Sequence, residues 1–181
     1  MGRREEEEEV RGRLALAVKI IVDGMSPALL PGPAANIGYA LRGARTGGDI
    51  AGVAGGILKD STGVRPAGGI AFGEAGGVAR VVLTVMRTDP GIRSAAVIGF
   101  SPAILTVLED LLLEICEFDR SREPPGVQTM DWGVASCCRE GVPDVIFDGG
   151  APGKEGLIRL LGEEPVAIAQ TIVAVSTRLP K

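Results

Sequence analysis

Near its C-terminus the chain reads Pro143-Asp144-Val145-Ile146-Phe147-Asp148-Gly149-Gly150-Ala151-Pro152-Gly153-Lys154-Glu155. A short β-branched run ends in a carboxylate, opens into glycines and closes on a lysine. Glycines let backbone N–H groups approach phosphate oxygens, and a lysine adds a mobile point charge. The same spacing also suits a solvated turn. It is not a Walker loop, because the glycine spacing is too short and Glu155 stands where Ser or Thr would hold Mg²⁺. Phe72-Gly73-Glu74-Ala75-Gly76-Gly77 is a second glycine-rich stretch. It opens a helix carrying Arg80, so it is either a phosphate cradle at a helix start or a plain loop beside a surface charge. Asn36 follows a Pro/Gly turn, and Asp119-Arg120 follows a short apolar run, as a site pair or a local loop salt bridge. In α/β sheets such strand ends converge on a ligand crevice. Asn36, Arg80, Arg120, Asp148 and Lys154 are therefore expected to line one pocket.

The elements that must position these residues are read from periodicity. A charge run over residues 2–9 starts a helix whose face is Val10, Leu14, Val18, Ile21 and Val22. Gly24, Pro27, Pro31, Gly32 and Pro33 end it. Strands are expected at Asn36–Leu41, Ile50–Lys59 and Val64–Phe72, with Asp60–Gly63 as a hairpin turn. A helix from Val78 shows the stripe Val78, Val81, Val82, Val85 and Met86, and Asp89-Pro90-Gly91 stops it. Ala95–Phe100 reads as a strand. Ser101-Pro102 caps a helix with Ile104, Leu105, Leu108, Leu111 and Leu112 inward. A strand at Ile115–Phe118, a loop at Ser121–Gly126, a helix around Met130–Glu140 and a strand at Val145–Phe147 follow. A last helix runs from about Glu163 through Val173. The alternation predicts an α/β chain: one three-layer domain with a mixed sheet.

Composition narrows the chemistry. At 181 residues and 45% hydrophobic the chain can bury a sizeable core, and with 3% aromatics that core is aliphatic. A net charge of −4 argues against direct nucleic-acid binding. With no histidine, acid–base work falls to Asp, Glu, Lys or Cys. Cys116, Cys137 and Cys138 form no CxxC pattern and are expected to be reduced, partly buried cytoplasmic thiols. No apolar run reaches membrane length. Asn36 is the single asparagine and Arg outnumbers Lys, which suits a thermophile.

Taken together, Pro31–Ala40, Asp49–Ile57, Phe72–Arg80, Asp89–Ser94, Phe118–Pro124, Met130–Gly133 and Pro143–Glu155 resemble the ThiN-type thiamine-phosphate synthase domain. The resemblance implies an α/β/α sandwich like that of class II sugar aldolases (AraD-like), over residues 31–181, preceded by an acidic helix and turn at 1–30. It implies a reaction in which thiazole phosphate displaces pyrophosphate from hydroxymethylpyrimidine diphosphate, with Mg²⁺ as the ion a diphosphate would bring. Of the family's phosphate-holding groups it implies that Asn36, Arg80, Asp119, Arg120, Asp148, Gly153, Lys154 and Glu155 are kept, and Gly73, Gly76, Gly77 and Gly149 of the two glycine stretches join them in the expected site. The chain departs from the family at three places. Gly56 replaces the Arg of a Gly-Arg-Ile triplet, Gly77 replaces a His, and Val97 replaces an Asn. The missing Arg and His are the family's main catalytic groups. The expectation is a cytoplasmic domain that binds a phosphorylated small molecule, with synthase activity weak or lost. An active synthase using Lys154 and Arg80 is the alternative. A homo-oligomer, or a separate kinase or regulator as partner, stays open.

Overall fold

The computed structural model describes residues 1–125 and 129–180. Gly126, where the expected loop Ser121–Gly126 ends, lies outside the described residues. The chain opens with α1 (Arg3–Gly24), whose buried residues Val10, Leu14, Ala17, Val18 and Ile21 recur at helical spacing. Val22, expected on that face, is 37% exposed, because the stripe turns through Ala17 instead. Strand β1 (Ala34–Ala40) follows, then β2 (Ile50–Val53), β3 (Ile57–Lys59), β4 (Val64–Pro66) and β5 (Ile70–Phe72). The two long strands expected here are thus each broken. At the first break, Gly55 and Gly56 have φ of +74° and +79°, which turns the chain between β2 and β3.

Helix α2 (Val78–Met86), β6 (Ser94–Gly99) and α3 (Pro102–Asp110) come next. Ser101 caps α3 by accepting from the Ile104 N–H at 3.2 Å, with Pro102 in the first turn. Leu112 was expected on the inner face of α3. The helix ends before it, and Leu112 is 91% exposed with a φ of +61°. Then follow β7 (Ile115–Glu117), α4 (Thr129–Cys137), β8 (Val145–Asp148), β9 (Leu157–Gly162) and α5 (Pro165–Arg178). Strand β9 is absent from the sequence-based expectation. Helix α5 is capped by Glu164, whose carboxylate accepts from the Val166 and Ala167 N–H groups.

The strands form one mixed sheet in the order β4-β3-β1-β6-β9-β8-β7, with β2 paired to β1 and β5 to β2. β7 and β8 are parallel, and the other pairs are antiparallel. Alternation assigns the two faces. Ile37, Ala96, Ile98, Ile158, Leu160, Val145 and Phe147 pack with α1, α3 and α5. Ala95, Val97, Leu161 and Ile146 pack on the other face with Val78, Val81, Val82 and Val85 of α2 and Val134 of α4. No helix among the described residues is long and apolar enough to cross a membrane.

Candidate functional site

Register brings one row of residues across the second face. Asn36 pairs with Val97, Val97 with Arg159, Arg159 with Ile146, and Ile146 with Cys116. The antiparallel pairings then place the N-terminal ends of β1 and β9 beside the C-terminal ends of β6, β7 and β8. Two hollows lie along this edge.

The first, of about 450 Å³, is walled by Pro31, Ala34–Asn36, Gly55-Gly56, Gly73–Val78, Val97 and Leu157. Asn36 does not reach out to a ligand. Its Nδ2 donates to the carbonyls of Val53 and Glu74 at 3.1 and 3.0 Å, and its Oδ1 accepts from the Val53 and Ile37 N–H groups. All four of its hydrogen-bonding sites are taken. It stitches β1 to the end of β2 and to the loop before α2. That loop bends at Gly73 and Gly76, with φ of +83° and +58°. Gly77 begins α2 with no side-chain cap, so N-terminal N–H groups of the helix face this end. Among the described residues Glu74 is the one charged residue on this wall.

The second hollow, of about 520 Å³, is walled by Cys116–Arg120, Arg122, Trp132, Ser136, Cys137, Arg139, Gly149 and Gly150. Behind it lies Asp148, which is 0% exposed. One Asp148 oxygen is 2.8 Å from Arg120 Nε and accepts from the Gly150 N–H at 3.0 Å. The other accepts from Arg159 Nη1 at 2.8 Å. Arg159 is fully buried, with its guanidinium 4.9 Å over the Phe118 ring. Burial lowers the Arg159 pKa from its ordinary value, and Asp148 pulls it back up. Asp119 is held below the usual carboxylate range by the Ser121 hydroxyl, and next by the Ser121 N–H.

The expected single pocket is therefore two. Asn36, Gly73, Gly76 and Gly77 border the first hollow, and Asp119, Arg120 and Gly149 border the second. Asp148 lines neither and instead orients Arg120. Arg80 is exposed on α2 and lines neither, because the residues around it in the helix, Val78, Ala79, Val81 and Val82, are the buried ones. Gly153, Lys154 and Glu155 also line neither hollow. They belong to an exposed turn closed by mutual backbone hydrogen bonds of Ala151 and Lys154 at 3.1 and 2.8 Å. The cysteine expectation needs correction too. Cys116 in β7 and Cys137 at the end of α4 form a disulfide, with Cα atoms 5.9 Å apart. Cys138 alone is free, and burial pushes its thiol pKa up.

Sequence reasoning missed Arg159, Arg122 and Arg139. An arginine inside the apolar run Leu157–Gly162 was the available signal for Arg159, since a charge in a buried strand needs a partner. Among the described residues, no group of three His, Cys, Asp or Glu could hold a metal ion.

This architecture and these motifs are matched by known proteins. The model of thiamine-phosphate synthase ThiN matches residues 13–174. The chain belongs to the ThiN family. The bifunctional thiamine biosynthesis protein ThiDN of Methanocaldococcus jannaschii is 32% identical over 171 residues, which is 93% of this chain and 40% of that protein. The chain thus spans well under half the length of this ThiN relative. The crystal structure of the C-terminal domain of phosphomethylpyrimidine kinase superposes with a TM-score of 0.85 at 30% identity, over 94% of this chain and 100% of that one. YgbL of Escherichia coli, at 12% identity and a TM-score of 0.52 over 95% of this chain and 86% of its own, shares the fold alone. This is a ThiN-type domain of thiamine biosynthesis.

Proposed function

We propose that this chain binds thiamine phosphate, or one of its phosphorylated pyrimidine or thiazole precursors, and has lost most synthase turnover. One observation carries the reading. The three positions that the sequence resemblance marks as departures, Gly56, Gly77 and Val97, all line the first hollow. Displacing pyrophosphate develops negative charge on the leaving group, and cationic donors must meet it there. Among the described residues that wall holds no Arg or Lys, and Glu74 is its one charge. Losing one such donor typically costs ~10²–10³ in rate.

The departure at Gly56 goes deeper than one side chain. With φ at +79°, a Cβ built there would lie 2.8 Å from the Ala35 carbonyl oxygen. Reinstating Arg would strain this backbone by about 1–3 kcal/mol. Gly77 has a φ of −62°, a backbone any residue adopts, so the His alone is easily restored. The alternative of an active synthase using Arg80 and Lys154 draws less support, because neither side chain borders either hollow.

On this reading residues 31–181 form the ligand-binding unit, of the class II aldolase type, and α1 straps it. The domain serves as a sensor, carrier or regulatory subunit, with a pyrimidine kinase as the kind of partner its fused relatives suggest. Titration calorimetry with thiamine phosphate, thiamine diphosphate and both precursors tests it. At least one should bind. At a hundredfold excess over Kd that ligand should stabilise the fold by about 2.7 kcal/mol. Failure of all four to bind would overturn the reading.

A further inference from the structure

The two hollows are built differently. The walls of the first come from several strands and from the loop before α2. The second is built largely from one covalent loop. Of its twelve described wall residues, nine lie within the stretch from Cys116 to Cys137, and Arg139, Gly149 and Gly150 stand outside it. The disulfide that closes this stretch is itself part of the wall. We infer that Cys116–Cys137 is a thiol–disulfide exchange site through which a dithiol reductant opens the second hollow. This site goes beyond the proposed function and does not rest on it.

Its two sides answer to different parts of the fold. Helix α4 sits on α2 through Val134 and Cys138, both buried in the core of that face. Strand β7 is a three-residue edge strand, paired on one side with β8. The two sides meet at Phe118, just after β7. A Cβ on Gly133 of α4 would lie 2.3 Å from its ring, and Trp132 meets that ring edge-on at 6.0 Å. The disulfide joins them a second time, from β7 to the last residue of α4. With the bond cut, the sides keep the contact at Phe118 and lose the tie between their ends. Helix α4 stays with α2, β7 stays with β8, and the hollow between them widens.

The surroundings suit exchange. Both cysteines are half-buried and border a hollow of about 520 Å³, which lets a reductant reach them. Exposed disulfides are the labile ones, whereas enclosed structural bonds resist reduction. Among the described wall residues, Arg120, Arg122 and Arg139 stand against Glu117 and Asp119. Nearby cations stabilise a thiolate, and a stabilised thiolate leaves faster. Cys138 is a bystander, because it is buried and burial pushes its thiol pKa up. A thiolate of the reductant attacks one of the two sulfurs, giving a mixed disulfide and one free cysteine. The reductant's second thiol then displaces the other cysteine. Two electrons and two protons pass to the protein, and one disulfide breaks as the reductant's own forms.

Trp132 is the single tryptophan of the chain and lines the same hollow, so its emission reads the opening. Protein isolated without reductant should titrate one thiol per chain once unfolded, and three after treatment of the folded protein with dithiothreitol. On that treatment Trp132 emission should shift to the red and acrylamide should quench it more, with the far-ultraviolet circular dichroism unchanged. Reoxidation with diamide should restore both signals. Cys116→Ala with Cys137→Ala should show the reduced signals with or without dithiothreitol, and Cys138→Ala should respond as the wild type does. If the double variant does not fold, the reversible cycle of the wild type decides alone. Three thiols before any reduction, a bond that dithiothreitol cuts only in denaturant, or a cut bond with unchanged Trp132 signals overturns the site. Loss of the helical signal on reduction also overturns it, because the bond then holds the whole fold rather than one hollow.

Discussion

Asp148→Asn perturbs the one carboxylate that two inner arginines share. The shape is kept and the charge is lost. Arg159, fully buried, would lose a partner at 2.8 Å, and Arg120 would lose the anchor on its Nε. Removing one partner of a buried ion pair costs about 3–5 kcal/mol, because the remaining charge stays out of water. For a domain of this size each kcal/mol lowers Tm by roughly 2–4 °C, so the expected drop is roughly 6–20 °C. Urea unfolding should show a lower midpoint with an unchanged slope. The contact with the Phe118 ring persists at Arg159 and sets the lower end of the range. Replacing both Asp148 and Arg159 by leucine should cost less than the sum of the two single replacements, since Arg159 is then no longer a buried charge without its partner, although Arg120 still loses its own. A loss under about 1 kcal/mol for Asp148→Asn, or a double variant as damaged as the sum of its parts, would refute this account of the buried arginines.

Leu112→Gly should raise stability by about 1 kcal/mol in the same unfolding assay, because Leu112 is exposed and held at a left-handed φ that glycine adopts freely. A thiol reductant should lower stability by about 3 kcal/mol, the loop-closure value for cysteines this far apart. The Cys116 and Cys137 to alanine double variant should show no reductant response. Asp49 is held below the ordinary carboxylate range chiefly by the Arg45 N–H, against burial and with help from Arg3. Its contribution is present above the unfolded value and lost as pH falls through the lowered folded one. Asp49→Asn should therefore flatten the acid limb of stability below about pH 4, as read from unfolding midpoints across a pH series.

Much of this was legible before any coordinates. The stripe on α1, the cap Ser101-Pro102, a strand starting within two residues of Asn36 and one ending at Asp148 follow from local periodicity and turn chemistry. The stripe that marks α2 also puts Arg80 on its outer side, so the single-pocket expectation already conflicted with the helix that carried it. Strand β9 was hidden because Leu157–Gly162 is buried on both faces, and a run without alternation has no period to read. The disulfide joins residues 21 apart, one in β7 and one at the end of α4, and their spacing alone does not pair them. The long strand across Gly55-Gly56 failed because apolar residues on both sides masked a turn that two left-handed glycines make.

The most direct test mixes both phosphorylated precursors and Mg²⁺ with the protein in excess and follows thiamine phosphate over time, beside Gly77→His. With no cation among the described residues on the walls of the first hollow, the wild type should form at most a trace while still binding thiamine phosphate. Gly77→His, which restores one donor on an unstrained backbone, should raise the rate. Wild-type turnover at ~1 s⁻¹ or faster, the range of ordinary enzymes, would contradict the account.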